Sequence, residues 1–393
     1  MQRPLTIAVP IHSFEPGGVE RVGLNLARAW QDMGHDVRVV LGRKEGADRF
    51  QAPRLNYDCR AAPFSTACFE TLWMIACLLA FLRRHRVDAI FCAGNTYAIV
   101  CVAMRLRLGS DCPPIIAKVS NDLDRHDLPR PARWAYRAWT AFQGLLIDRF
   151  VGMAPPMRAE IASLMRVPAS RIAIVPDPAL TRDRAARLLG IERSCNRDAA
   201  VRFLVVGRLA PQKNYALLLR AFANGRRVGD TLTIVGDGPE RSSLERLTAR
   251  LELEAHVCFS GHLASPDAEY GRADCLLLSS DYEGVPAVVI EAIAAGLAIV
   301  ATDCSRSMGE LLAHGARGTL VATRDARALS SAIAQALSLP FLSPVARRYA
   351  DAFIVDAAAG EYLDVMRSAL RPTASLGEEI AREDVRQVGV RGV

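Results

Sequence analysis

Among the ten cysteines of this 393-residue chain, no two form a C-x-x-C pair. That removes the spacing on which zinc ribbons and dithiol redox centres are built. Most of the cysteines stand inside apolar runs, as Cys275 does in DCLLLSS, and read as reduced core residues of a cytosolic protein. Long apolar runs are equally scarce. The most apolar stretch, LWMIACLLAFL at 72–82, is too short to span a bilayer, and Arg83 and Arg84 follow it. It reads as a core helix with a basic end. The amino terminus, MQRPLTIAVP, enters a strand-like run and lacks the apolar stretch of a signal peptide. No short-period repeat is visible. Nor is one charge in strong excess: 49 Lys and Arg face 42 Asp and Glu, a formal net charge of +7. Such mild basicity suits an anionic small molecule, an anionic membrane surface or a nucleic acid, and alone selects none of them. A complete dinucleotide fingerprint is missing too. IVGDGPERSSLERL at 234–247 lacks the third glycine of G-x-G-x-x-G and reads as a βα turn with Pro239 at the first helical position. An NAD-dependent oxidoreductase is thereby disfavoured.

What is present is a regular alternation. With 51% hydrophobic residues the chain can bury sizeable cores, and its length suits two domains. LTIAVP (5–10), VRVVLG (37–42), DAIFCAG (88–94), PPIIAKVS (113–120), DRFVGM (148–153) and RIAIVPDP (171–178) are strand candidates with helical patterns between them. The charged stretch TRDRAARLLGIERSCNRDAA follows. The series then restarts with RFLVVG (202–207), TLTIVGDG (231–238), HVCFSGH (256–262), DCLLLSS (274–280), AIVATD (298–303) and GTLVA (318–322). Short β-branched runs separated by helices predict βαβ units and parallel sheets. The expected fold class is α/β, with two doubly wound Rossmann-like domains at 1–180 and 201–344 joined by a connection at 181–200. The charged end, 371–393, has no apolar stripe and reads as a mobile tail. Two such domains face one another across a cleft lined by the carboxyl ends of their strands, where ligands of open α/β sheets bind.

Three stretches carry chemistry to that edge. In PGGVER, Gly17 and Gly18 stand between a strand and a helix. Adjacent glycines let backbone amides approach a ligand, and a helix N-terminus favours negative charge; a loop that merely needs glycine is the plain alternative. In VGRLAPQKN, Arg208 directly follows a buried strand and Lys213 lies five residues on. Two cations at a strand end suit a diphosphate that leaves in a transition state. In DYEGVPAVVIE, Glu283 falls in the loop after a buried strand. Pro286 suits the first turn of a helix ended by Gly296, which places Glu291 about one and a half turns in. The amides of Ala287 and Val288 at that helix start are an anion site, and the two carboxylates are acceptors for hydroxyls.

In this order, PGGVERVGLNLARAWQDMGHDV, VGRLAPQKNYALLLRAF, LTIVGDGPERSSLERL, HVCFSGH and DYEGVPAVVIEAIAAGLAIVATD resemble the retaining GT-B glycosyltransferases of family four, over about residues 5–370. The Glu-x7-Glu spacing is the specific part of the match. The resemblance implies that Gly17 and Gly18 lie near donor diphosphate and acceptor, and that Arg208 and Lys213 hold the diphosphate. It implies that Glu283 binds hydroxyls of the transferred sugar, Glu291 the ribose, and that Gly261, His262 and Leu263 border the base. A helix within 345–370 would cross back to the first domain.

Two departures stand out. Where the family often has a histidine, this chain has SNDLDRHD at 120–127, so Asn121, Asp122 or His126 is left to meet the reacting sugar. Asp122-Leu123-Asp124 also mimics a metal-binding D-x-D, but a solvated turn is the favoured reading, and no metal is expected. VPDPA at 175–179 stands where the family has Asn-Pro or Asn-Gly, and Asp177 is expected to form the same turn.

The implied activity is transfer of a sugar from a nucleotide-diphosphate donor to a hydroxyl of a glycan or lipid-linked acceptor, with retention, in cell-surface polysaccharide or lipopolysaccharide synthesis. The nucleotide-sugar is then a substrate; no cofactor and no nucleic-acid partner are expected. A nucleotide-sugar epimerase or phosphorylase on the same fold, and a catalytically silent subunit, are the rivals. Arg125, Arg130, Arg133, Arg137 and Arg149 surround Trp134, Tyr136 and Trp139, a composition that suits the anionic inner face of a membrane as well as an ordinary packed helix.

Overall fold

The computed structural model describes residues 3–15, 17–46, 48–62, 69–125, 128–193 and 200–370. Thirteen strands in these segments form two parallel sheets. The first holds β1 (Thr6–Ile11), β2 (Asp36–Leu41), β3 (Asn56–Cys59), β4 (Ala89–Cys92), β5 (Ile115–Lys118), β6 (Arg149–Gly152) and β7 (Ile172–Ile174) in the order β3-β2-β1-β4-β5-β6-β7. The second holds β8 (Arg202–Val206), β9 (Thr231–Val235), β10 (Val257–Gly261), β11 (Cys275–Leu278), β12 (Ala298–Thr302) and β13 (Thr319–Val321) in the order β10-β9-β8-β11-β12-β13. Central strands such as AIFC and AIVAT are buried along their whole length, as parallel strands covered on both faces must be. The edge strand β3, NYDC, escaped the sequence pattern because it is short, polar and half-exposed.

The strand orders fix where ligands can sit. The strand order reverses once in each sheet, between β1 and β4 in the first and between β8 and β11 in the second. The crevice beyond the carboxyl ends of such a pair is the binding edge of an open α/β sheet. Residues 12–18 follow β1, residues 207–214 follow β8 and residues 279–286 follow β11. All three stretches singled out by sequence therefore leave their sheets at the switch points.

The core is continuous between the domains. One cluster of buried residues joins the first domain to the face of the second that carries Tyr270, Ile290 and Ile293; a second cluster, including Phe203 and Phe222, fills the other face. The connection expected at 181–200 is only partly irregular. Thr181 caps a helix, Arg182–Leu189, by accepting from the Arg184 amide at 3.3 Å. The Val355–Leu370 helix lies on the first domain: Trp30 Nε1 donates to Ala359 O at 3.0 Å and Arg149 donates to Ser368 O at 3.2 Å. Residues 371–393 lie outside the described segments. Most described cysteines are buried and all eight are free thiols; Cys258 is the exposed one.

Candidate active site

The helix Ala287–Ala295 begins just after Pro286, and its far end is anchored hard. Gly296 takes the left-handed conformation that closes it (φ 78°). Two guanidinium groups bind its last carbonyls: Arg193 Nε donates to Ala295 O at 2.8 Å and Arg347 Nε to Ala294 O at 2.8 Å. Cations at a helix C-terminus are favoured by the dipole. The apolar face of this helix is wholly buried, which holds Glu291 at a fixed height relative to the loop before it. The amides of Ala287 and Val288, first in the helix, have no intrahelical acceptor.

Glu283 and Lys213 form one unit. Lys213 Nζ lies 2.5 Å from Glu283 Oε1, and Ser280 Oγ donates to the same oxygen at 2.8 Å. The loops that carry them are stitched together. Asp281 N donates to Gln212 O at 2.9 Å, Gln212 Nε2 to Tyr282 O at 3.1 Å, and Ser279 Oγ to Lys213 O at 2.8 Å. Asn214 supplies a left-handed residue (φ 49°) and caps the following helix. Arg208 is exposed at the same edge. An ammonium has three donors, so Lys213 can keep Glu283 and still reach an anion.

Glu291 is not an open acceptor. It is 1% exposed and enclosed by three donors from three elements. Arg184 Nη1 donates to Oε1 at 2.6 Å, Arg21 Nη2 to Oε1 at 3.2 Å, and the Tyr270 hydroxyl to Oε2 at 2.7 Å. Burial alone would raise its pKa, but the charges of Arg184 and Arg21 and the hydrogen bonds hold it below the ordinary glutamate value. Arg21 belongs to PGGVER of the first domain, so this contact spans the cleft.

The two domains meet closely beside Glu283. A Cβ on Gly284 would stand 2.2 Å from Ser120 O, so only glycine permits this approach. Asp122 N donates to Glu283 O at 3.3 Å, and Arg306 N donates to Asp122 Oδ2 at 2.9 Å. On the first-domain side, a Cβ on Gly17 would meet Glu20 Oε2 at 2.0 Å, whereas Gly18 has open space around it. Glu20 thus folds back over the start of the helix Gly18–Asp32, and Tyr97 donates to it at 2.8 Å. A carboxylate at that helix start makes the corner a better seat for hydroxyls than for phosphate.

Residues 16–179 match the family described as Glycosyltransferase Family 4, and residues 195–352 that described as Glycosyl transferases group 1. Each domain thus matches a glycosyltransferase family of its own, and together the two matches cover most of the chain. Its fold is the two-domain GT-B arrangement that the sequence motifs led us to expect. The architecture is similar to Anabaena HepE, crystallised in complex with UDP, with a TM-score of 0.69 at 17% identity over 93% of this chain and 100% of that one. In sequence it is similar to the amylovoran biosynthesis glycosyltransferase AmsD of Erwinia amylovora, 37% identical over 115 residues, 28% of this chain and 32% of AmsD. It also matches a GDP-mannose-dependent alpha-(1-6)-phosphatidylinositol monomannoside mannosyltransferase of Mycolicibacterium smegmatis, 34% identical over 148 residues, 34% of this chain and 38% of that protein. These matches span only about a third of each curated relative.

The other residues singled out by sequence are placed as follows. Gly261, left-handed at φ 71°, ends β10, and His262 after it reaches the first domain, with Nε2 3.2 Å from Asp48 Oδ1. Leu263 packs on the shared core. Asn121 is half-buried at the seam, and His126 lies outside the described residues. The Asp122-Leu123-Asp124 triplet is a correction: it is not a solvated turn. Leu123 is 1% exposed. The amides of Leu123 and Asp124 donate to Glu160 Oε1 at 3.1 and 2.9 Å. Burial pushes the Asp122 carboxyl up to about 7. Asp177 is a second correction. Its side chain does not serve a turn; it pairs with Lys118 Nζ at 2.7 Å, both nearly fully buried.

Sequence reasoning missed Arg184, Tyr270 and Lys118. Arg184 sits in a charged stretch with no motif around it, and Tyr270 in a short polar helix, so neither gave a signal. Lys118 had one: a lone charge ending the apolar run IIAK. Arg21 stood in a quoted motif without a role of its own. His12, stacked on Tyr97 at 4.7 Å at the end of β1, was also passed over; burial lowers its pKa below the ordinary histidine value.

Proposed function

We propose that this protein transfers a sugar from a nucleotide-diphosphate-sugar to a hydroxyl of a glycan or lipid-linked acceptor, with retention at the anomeric carbon and without a metal ion. The observation that carries this reading is Lys213 bound to Glu283, with Arg208 exposed in the same loop as Lys213, at the switch point of the second sheet and against Gly284 at the domain seam. Lys213 and Arg208 balance the charge of the leaving diphosphate, with the Ala287 and Val288 amides adding donors. Glu283 accepts hydroxyls of the transferred sugar. Glu291 takes the ribose. His262 and Leu263 border the base.

The bond from the anomeric carbon to the diphosphate breaks with its electron pair leaving on oxygen. The acceptor oxygen bonds to that carbon from the same face, and its proton passes to the departing phosphate oxygen. The first domain supplies the acceptor side. Asn121 and Asp122, which follow Ser120 at the seam, are the candidates there to meet the reacting sugar. Closure between the domains excludes water and limits hydrolysis of the donor. Similarity to AmsD and to the mycobacterial mannosyltransferase supports a role in cell-surface polysaccharide or glycolipid synthesis.

A panel of nucleotide-sugars, each tested with and without acceptor glycans, decides the matter. Acceptor-dependent release of nucleoside diphosphate is expected, with a product whose anomeric configuration by NMR equals that of the donor. Turnover that needs no acceptor points to an epimerase. Failure to bind any nucleotide-sugar overturns the reading.

A further inference from the structure

We propose that Arg184, outside both glycosyltransferase motifs, is the positioning residue of Glu291: it fixes the carboxylate so that one acceptor site on each oxygen is offered to the two vicinal hydroxyls of a nucleotide ribose. This rests on the reading of Glu291 given under Proposed function.

The geometry of the cage points to it. A carboxylate has about four acceptor sites, two on each oxygen. Arg184 takes one on Oε1 at 2.6 Å and Tyr270 one on Oε2 at 2.7 Å. Arg21 takes a second on Oε1, but at 3.2 Å. The three partners are not equivalent. Tyr270 is fully buried and the Arg184 side chain is 12% exposed, whereas that of Arg21 is 41% exposed and comes from the other domain. Arg21 is therefore the partner that gives way. Once it leaves, one site remains on each oxygen, side by side, as adjacent ribose hydroxyls require.

Arg184 is itself held rigidly. Its Nε donates to Asp267 Oδ1 at 2.9 Å, and Asp267 is fixed in turn by Arg187 Nε at 3.0 Å. The helix that carries Arg184 begins at the Thr181 cap, so its register is set. A planar fork shared between two carboxylates locks both of them. Lysine at this place keeps the charge but loses the fork. Glutamine loses the charge as well, and leaves Glu291 to Arg21, which then blocks the hydroxyls.

The test compares binding of a nucleoside diphosphate with binding of its 2′,3′-dideoxy form. The base is whichever of UDP, GDP and ADP binds the wild type most tightly. Calorimetry is run on wild type, Arg184→Gln, Arg184→Lys and Arg21→Ala, with thermal melts to establish that each is folded. In the wild type the hydroxyls are expected to tighten binding by about tenfold or more, the worth of charge-assisted hydrogen bonds. That ratio falls towards one in Arg184→Gln, is partly restored in Arg184→Lys and persists in Arg21→Ala. A merely structural Arg184 weakens both ligands alike and leaves the ratio intact, which overturns the proposal. So does a ratio near one in the wild type, which removes Glu291 from the ribose. A wild type that binds none of the three nucleotides overturns the proposed function itself, and the proposal with it.

Discussion

Lys213 Nζ stands 2.5 Å from Glu283 Oε1, and this pair ties the loop after β8 to the loop after β11. Its side chains are 18% and 11% exposed, so neither charge is well solvated. Removing one partner leaves the other buried and uncompensated, which costs about 3 kcal/mol or somewhat less given the remaining exposure. Lys213→Ala is expected to lose that stability in urea unfolding and to lower kcat/KM by about a hundredfold through the unbalanced diphosphate. The double change Lys213→Ala/Glu283→Ala is expected to regain part of the stability and none of the activity. Near-normal turnover in folded Lys213→Ala sinks the site assignment.

Asp122 gives the protein a pH-dependent seam. Its carboxyl is raised to about 7 by burial; the Arg306 amide and guanidinium pull it down, while Glu160 and Asp303 push it up. The native state therefore holds a proton that the unfolded chain releases near pH 4. The contribution to stability is complete below that point and is lost as pH rises through about 7. Melting temperature against pH is expected to decline between about 4 and 7 in the wild type from this group. Asp122→Asn, which keeps the shape and cannot ionise, removes that component of the slope. An unchanged slope in Asp122→Asn shows that Asp122 titrates normally.

How much of this was legible depends on what kind of signal each feature leaves in a sequence. Strands β1, β4 and β12 are apolar runs bounded by turns, and period alone finds them. Arg208, Lys213 and Glu283 lie in the loops after strand ends and Glu291 in the helix that follows, so their arrival at the switch points follows once the strands are placed. Local pattern cannot say what a side chain meets from a distant segment. Glu291 looked like an open acceptor because its three partners lie 270, 107 and 21 residues away in sequence. Asp122 looked solvated because Arg306, which closes over it, lies 184 residues on. Asp177 looked like a turn former because Lys118 lies in another strand. Charged residues at isolated positions carry almost no periodic signal, and those are the ones that tertiary structure reassigned.

The helix Arg130–Leu146 exposes Trp134 at 75%, Leu145 at 77% and Phe142 at 39%, while Thr140, Gln143 and Gly144 face inward. The arginines in and around it are less available than the sequence suggested. Arg137 pairs with Asp124 at 2.9 Å, and Arg149 bonds Ser368 on the carboxyl-terminal helix. No helix among the described residues is long and apolar enough to cross a membrane. Any attachment through this face is therefore interfacial and led by apolar side chains, with charge in support. Flotation with vesicles containing acidic lipid is expected to carry the protein up, and Trp134→Ala/Leu145→Ala to weaken that by about tenfold or more, since two such side chains even half buried are worth roughly 2–3 kcal/mol. Flotation that is absent, or indifferent to both changes, rules the face out as a membrane contact.

Gly284 sets how near the domains can come. The Cβ of an alanine there would lie 2.2 Å from Ser120 O and 2.8 Å from Met153 Cε. The backbone oxygen cannot step aside, so the clash is relieved by the domains parting by about an ångström, a displacement that can lower turnover about a hundredfold when the reacting groups sit on opposite sides. On the proposed function, nucleotide binding comes from the second domain and survives. Gly284→Ala is accordingly expected to bind nucleoside diphosphate within about threefold of wild type while kcat falls by one to two orders of magnitude, roughly the effect of misplacing reactants. Isothermal titration and initial-rate kinetics on the same preparation check both halves. Equal kcat in the variant means that chemistry does not require this approach of Gly284 to Ser120. A parallel loss of nucleotide binding means that residue 284 shapes the donor site directly.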